Sequence, residues 1–104
     1  MGRMTNTNAL YAAQKSVTSS GTPVQLADQP VPEGVSIVLK AKDTNTGYLT
    51  LGSSSTNALN TGTSNFRLQA NQTLMLQVGN TNILWLDATV SGETLEIIFE
   101  QNQS

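Results

Sequence analysis

The chain of 104 residues contains no cysteine and no histidine. Without cysteine, no disulfide staples the fold, and no thiolate can bind a metal or attack a substrate. Without histidine, the usual near-neutral proton shuttle is missing. A Ser–His–Asp triad is therefore impossible, however abundant serine is. Charge is scarce as well: charged residues make up 12% of the chain, about half the usual share. The net charge is −2. The basic residues are Arg3, Lys15, Lys40, Lys42 and Arg67, too few for the basic patch of a nucleic-acid binder. Beyond Asp87 come Glu93, Glu96 and Glu100 with no Lys or Arg, so that end repels phosphate. Five aromatic residues are few for a sugar-stacking surface. No run approaches the ~20 apolar residues of a membrane helix. The start, MGRMTNTNALYAAQK, lacks the apolar stretch of a signal peptide. Neither nucleic acid nor membrane is expected as a partner.

Short motifs are equally sparse. Met1-Gly2 does not open a myristoylation signal, because Asn6 stands where Ser or Thr is needed. Asn71-Gln72-Thr73 fits the glycosylation pattern but has no sign of secretion beside it. The glycines match neither GxGxxG nor GxxxxGK[ST], so no phosphate cradle is read. No DxDxDG-like loop offers a calcium site. Glu96 and Glu100 share a strand and lie about 13 Å apart by strand rise, too far for a glycosidase pair. Asp28 and Asp43 fall in turns, where Asp caps its own backbone. A Ser–Lys pair using Lys15, Lys40 or Lys42 has nothing to place it. No catalytic residue, metal site or cofactor is expected, and the chain is read as a non-enzyme.

Alternation is what the sequence does hold. In VSIVLKAK, residues 35–42, Val35, Ile37, Leu39 and Ala41 alternate with Ser36, Val38, Lys40 and Lys42, the period of a half-buried strand. DTNTG turns the chain, and Leu49 and Leu51 begin a second run. Phe66, Leu68 and Ala70 form a third, ANQT a turn, and Leu74, Leu76 and Val78 a fourth. Ile83-Leu84-Trp85-Leu86 is apolar on both faces, as in a strand covered on both sides. After the VSGE turn, Leu95, Ile97 and Phe99 alternate with Glu96, Ile98 and Glu100. An earlier edge candidate runs through Val17, Val24 and Leu26, broken by Gly21 and Pro23. GSSSTNALNTGTSN, residues 52–65, is a long small-and-polar loop in which Ala58 and Leu59 are the points able to pack down. Seven or eight short strands with turns every eight to twelve residues predict an all-β domain, a small antiparallel sandwich or barrel. Residues 1–15 are expected to be a flexible arm, and residues 16–104 the β-sandwich. The expected core is Ile37, Leu39, Leu49, Leu51, Phe66, Leu68, Leu74, Leu76, Trp85, Ile97 and Phe99. Val38, Leu84, Leu86 and Ile98 take the outer parity, an apolar patch that marks a protein contact. Met4, Leu10 and Tyr11 on the arm, with Arg67 as a carboxylate-pairing cation, complete the candidate interface. Tyr48 and Trp85 are the candidates for a sugar contact.

From Thr22 to Glu100 the order of these segments resembles the small β-sandwich proteins of tailed bacteriophage particles. VPEGVSIVLKAKDTNTGYLTLG, NFRLQANQTLMLQVGNTN and ILWLDATVSGETLEIIFE carry the resemblance, with Ser91-Gly92 at the expected turn. Ala70-Asn71-Gln72 stands where that group commonly has Pro-Gly-Glu. The resemblance implies a jelly-roll-like sandwich and a capsid decoration protein that stabilises the head. It implies a homo-oligomer, by preference a trimer, bound to the major capsid protein or another virion protein. Its place would be the virion, assembled in the bacterial cytoplasm. A tail, baseplate or fibre component is the alternative, and a glycan or host-surface module a further one.

Overall fold

The computed structural model describes residues 9–101. Eight strands follow one another: β1 (Leu10–Ser16), β2 (Val24–Gln25), β3 (Ile37–Ala41), β4 (Leu49–Gly52), β5 (Phe66–Leu68), β6 (Thr73–Leu76), β7 (Trp85–Ala88) and β8 (Thr94–Glu100). A single helical turn, α1 (Ser55–Ala58), follows β4, and a 3-10 turn covers Thr81–Ile83. The strands form two four-stranded sheets, ordered β1-β8-β3-β6 and β2-β7-β4-β5. Every pairing is antiparallel. The partners β1–β8, β2–β7, β3–β6 and β4–β5 nest like one long hairpin rolled over itself. This is the eight-stranded jelly roll, two sheets face to face, so the sandwich predicted from alternation is the fold observed.

Alternation explains the core. Val35, Ile37, Leu39 and Ala41 all point inward and are buried, as are Leu95, Ile97 and Phe99 on β8 and Leu49, Leu51 and Leu68 on the facing sheet. Each large side chain so buried contributes about 1.5–3 kcal/mol. Leu74 and Leu76 are half-buried and pack against this cluster.

Turns follow their residues. Asn71 takes φ 70, the left-handed region that Asn tolerates. Its N–H donates to Ala41 O at 2.8 Å, and Gln69 N–H donates to Gln72 Oε1 at 2.7 Å. The turn forms without a glycine. In the loop after β4, Ser54 Oγ caps α1 by accepting from Asn57 N at 3.1 Å. Ala58 is buried against the outer face of the second sheet, and Thr50 Oγ1 donates to Ala58 O at 2.7 Å. A Cβ on Gly52 would lie 2.7 Å from Ala58 N, so glycine lets this loop lie flat on the sheet.

Three sequence expectations change. Residues 10–15, expected in a flexible arm, belong to β1, which pairs with β8 along its whole length. β7 has the opposite facing to that expected: Leu86 is fully buried between Val24 and Leu51, and Trp85 is half-buried on the outer face beside Gln25 and Gly52. Phe66 pairs with Leu51 but stands at the sheet edge, and it is 53% exposed.

Candidate functional site

The outer face of the β1-β8-β3-β6 sheet brings the exposed apolar side chains Leu10, Met75 and Ile98 onto one plane. Register lines up Ala12 with Ile98, Ile98 with Val38, and Val38 with Met75. This apolar row crosses all four strands, with Ile98 44% and Met75 65% exposed. A polar row lies two residues away: Gln14, Glu96, Lys40 and Thr73. Gln14 Nε2 donates to Glu96 Oε2 at 3.4 Å. Between the rows the sheet is dished, with a concavity of about 430 Å³ bordered by Ala12, Gln14, Val38, Lys40, Glu96 and Ile98. Lys40 stands on a strand flanked on both sides and so guards no edge. Chemically the concavity offers apolar area beside one ammonium, Lys40, and one carboxylate, Glu96. It offers no nucleophile with a base.

The expected interface residues are divided. Val38 and Ile98 are brought together as cross-strand neighbours. Leu10 is exposed and lies opposite Glu100 at the end of the same face. Tyr11 faces inward, its ring centroid 5.1 Å from that of Phe99. Leu86 is core, and Leu84 packs against the core. Their expected exposure fails because β7 faces the other way. Arg67 belongs to the second sheet, where its guanidinium lies 5.6 Å from the centroid of the Tyr48 ring. It also donates to Asn60 O and Asn65 Oδ1 at 3.4 Å each. Met4 lies outside the described residues. Sequence reasoning missed Met75 and Ala12. Met75 follows Leu74 with outward parity and was legible from the β6 alternation. Ala12 required knowing that β1 is a strand.

Tyr48 and Trp85 do not form a shared stacking platform. Trp85 lies opposite Gly52, four residues along β4 from Tyr48, which is about 13 Å by strand rise. The side chain of Arg67 already lies over one face of the Tyr48 ring, and Tyr48 Oη accepts from Gln69 Nε2 at 3.0 Å.

Two buried carboxylates hold loops. Asp87 Oδ1 accepts from Gly21 N at 3.0 Å and Oδ2 from Asn60 N at 2.8 Å. This ties two loops to the outer face of β7. Glu93 Oε1 accepts from Gly47 N at 2.7 Å and Oε2 from Thr46 N at 3.0 Å. Beside it, the Asn45 side chain behaves as a strand peptide: Nδ2 donates to Thr94 O and Oδ1 accepts from Thr94 N, both at 2.9 Å. Every carboxylate oxygen of the two acids thus has a backbone partner, which identifies structural anchors. Among the described residues, no group of three or more Asp and Glu is placed to hold a metal ion. No described helix is long and apolar enough to cross a membrane.

No known protein family and no curated protein matches the chain. Among solved structures it is similar to the IMPa metallopeptidase from Pseudomonas aeruginosa, with 18% identity and a TM-score of 0.53. The alignment covers 97% of this chain and 13% of that one, so the chain spans about an eighth of that protein's length. At this identity the likeness concerns the fold alone.

Proposed function

We propose that this domain is a non-catalytic structural protein of a tailed-bacteriophage particle, a head-decoration protein that assembles as a homo-oligomer on the capsid. The observation that carries this reading is the apolar row Ala12–Ile98–Val38–Met75, a connected strip across all four strands of one sheet face. Exposed connected apolar area of this kind marks contact with other protein. The jelly roll is a fold used by viral capsid and lectin domains, which supports the reading by analogy of fold only. The resemblance of residues 22–100 to phage sandwich proteins supports it independently of the row. The capsid shell is the surface the row would cover.

Cosedimentation with particles from the virus or host that encodes the chain tests this. The full chain is expected to travel with the heads, and antibody labelling in the electron microscope to mark the head shell. Met75→Lys and Ile98→Lys, both at exposed positions, are expected to weaken binding at least about tenfold, a loss of about 1.4 kcal/mol, with an unchanged melting temperature. Label on the tail alone would move the protein to the tail or fibre reading. Absence from every particle fraction would overturn the proposal.

A further inference from the structure

We propose that β1 is a dimerisation edge. Two copies of this chain join their β1 strands antiparallel about a two-fold axis at Ala13, making one continuous eight-stranded sheet. The phase of the β1–β8 ladder sets which backbone groups of β1 face outward. Ala9 O accepts from Gln101 N, and Val17 N donates to Glu93 O, both at 2.9 Å. In an antiparallel ladder the bonding direction alternates residue by residue. Tyr11, Ala13 and Lys15 therefore share the phase of Ala9 and Val17 and turn their backbone groups toward β8. Leu10, Ala12, Gln14 and Ser16 turn theirs outward. β1 ends its sheet, and among the described residues no backbone bond outside the ladder uses these four outward groups.

This edge differs from the other three. The edge strands β6, β5 and β2 have four, three and two residues, whereas β1 has seven. Its sequence, LYAAQKS, contains neither proline nor glycine. Long regular edges of this sort are templates for another strand, and natural proteins normally interrupt them. The one guard is Lys15, which faces inward opposite Leu95 near the end of the strand.

The occupant that fits is a second copy, because the edge is its own complement. Outward groups must meet outward groups, so even-numbered residues pair with even-numbered residues. The register with the fullest overlap sets Leu10 opposite Ser16 of the second copy and Ala12 opposite Gln14 of the second copy. All four outward residues of each copy then find partners. Ala13 falls on the axis in a non-hydrogen-bonded pair, where Cα atoms approach to about 4.5 Å, and its small side chain permits that approach. Lys15 lies opposite Tyr11 of the second copy and not opposite its own image, so no like charges meet. The contact requires no particle and stands apart from the proposed function.

The absence of cysteine makes the test clean. Ala13→Cys is expected to convert to a disulfide-linked dimer under mild oxidation, because facing Cα atoms fall within bridging range. Ala12→Cys is expected to cross-link far more slowly. Its image is displaced by two residues along the strand, about 7 Å, besides the interstrand spacing, which is outside that range. For the unmodified full chain, native mass across a hundredfold dilution is expected to show a dimer. Amide exchange at Leu10, Ala12, Gln14 and Ser16 is expected to slow at least about tenfold as the dimer forms. A monomer at every concentration, a trimer, equal cross-linking of the two cysteine variants, or a dimer in which those four amides exchange as in the monomer would each overturn the inference. If a cysteine variant does not fold, mass and exchange on the unmodified chain decide. A dimer that binds no particle removes the proposed function and keeps this contact, and a particle-bound trimer does the reverse.

Discussion

Glu93→Ala should cost this domain a large part of its stability. The carboxylate is only 4% exposed and receives Thr46 N–H and Gly47 N–H at 3.0 and 2.7 Å. Truncation removes both acceptors while β-sheet pairing on either side keeps the loop close to where it was. Tyr48 N still donates to Thr89 Oγ1, and Asn45 still pairs with Thr94. The two N–H groups therefore cannot simply swing into water. Stranding a buried donor costs about 1–3 kcal/mol, so the pair should cost about 2–5 kcal/mol, allowing for partial exposure of the loop. For a domain of this size each kcal/mol shifts Tm by about 4–8 °C, so Tm should fall by at least about 8 °C. Glu93→Gln keeps one acceptor oxygen and turns an amino group toward the other donor, so it should lie between wild type and Ala. Thermal melting by circular dichroism measures the shift, and amide exchange at Thr46 and Gly47 localises it. A fall in Tm of under about 4 °C, or unchanged exchange at those two amides, would refute the argument that Glu93 is what holds this loop.

Asp87→Ala removes the acceptor for Gly21 and Asn60 N–H groups and should likewise cost about 2–5 kcal/mol, read as a lowered urea midpoint at unchanged slope. Leu86→Ala should cost about 2–5 kcal/mol as a core deletion, whereas Trp85→Ala, on the half-buried outer face, should cost clearly less. The reverse ranking in paired urea titrations would contradict the observed facing of β7. Asn71→Gly should be neutral within about 0.5 kcal/mol, because glycine accepts the φ of 70. Asn71→Val should destabilise by at least about 1–2 kcal/mol, and equal melting temperatures for these two variants would contradict the left-handed turn.

β3, β4, β6 and β8 were legible because their inward positions carry Leu, Ile, Val and Phe and their outward positions mostly do not. β1 was hidden for the converse reason. Its inward positions are Tyr11, Ala13 and Lys15, an aromatic, a small residue and a cation, so no hydrophobic period marks it. Its order comes from pairing with a strand some 80 residues later in the chain, and no local window contains that partner. The facing of β7 was illegible because Ile83-Leu84-Trp85-Leu86 is apolar at both parities. Asp87, sharing parity with Trp85, was the available signal that this side faces away from the core. Its burial depends on the loop carrying α1, which reads as featureless in sequence. Of the candidate interface, Val38 and Ile98 were found because both break the outward polarity of well-marked strands. Leu86 was misplaced with its strand, and Ala12 could not be found without β1.

The pairing of β1 with β8 also dictates when this protein can become itself. Among the described strands, β1 is the first to leave the ribosome and has only β8 as a neighbour, and β3 needs that same β8 on one flank. Until Glu100 has emerged, the sheet consists of β3 and β6 alone, and β1 waits with both of its edges open. Completion of this sheet therefore waits on a long-range closure, slow by comparison with the formation of local contacts. During that wait a nascent β1 can capture the β8 of another chain in place of its own. Crowded synthesis, as on a polysome, is the setting in which exchanged copies would arise.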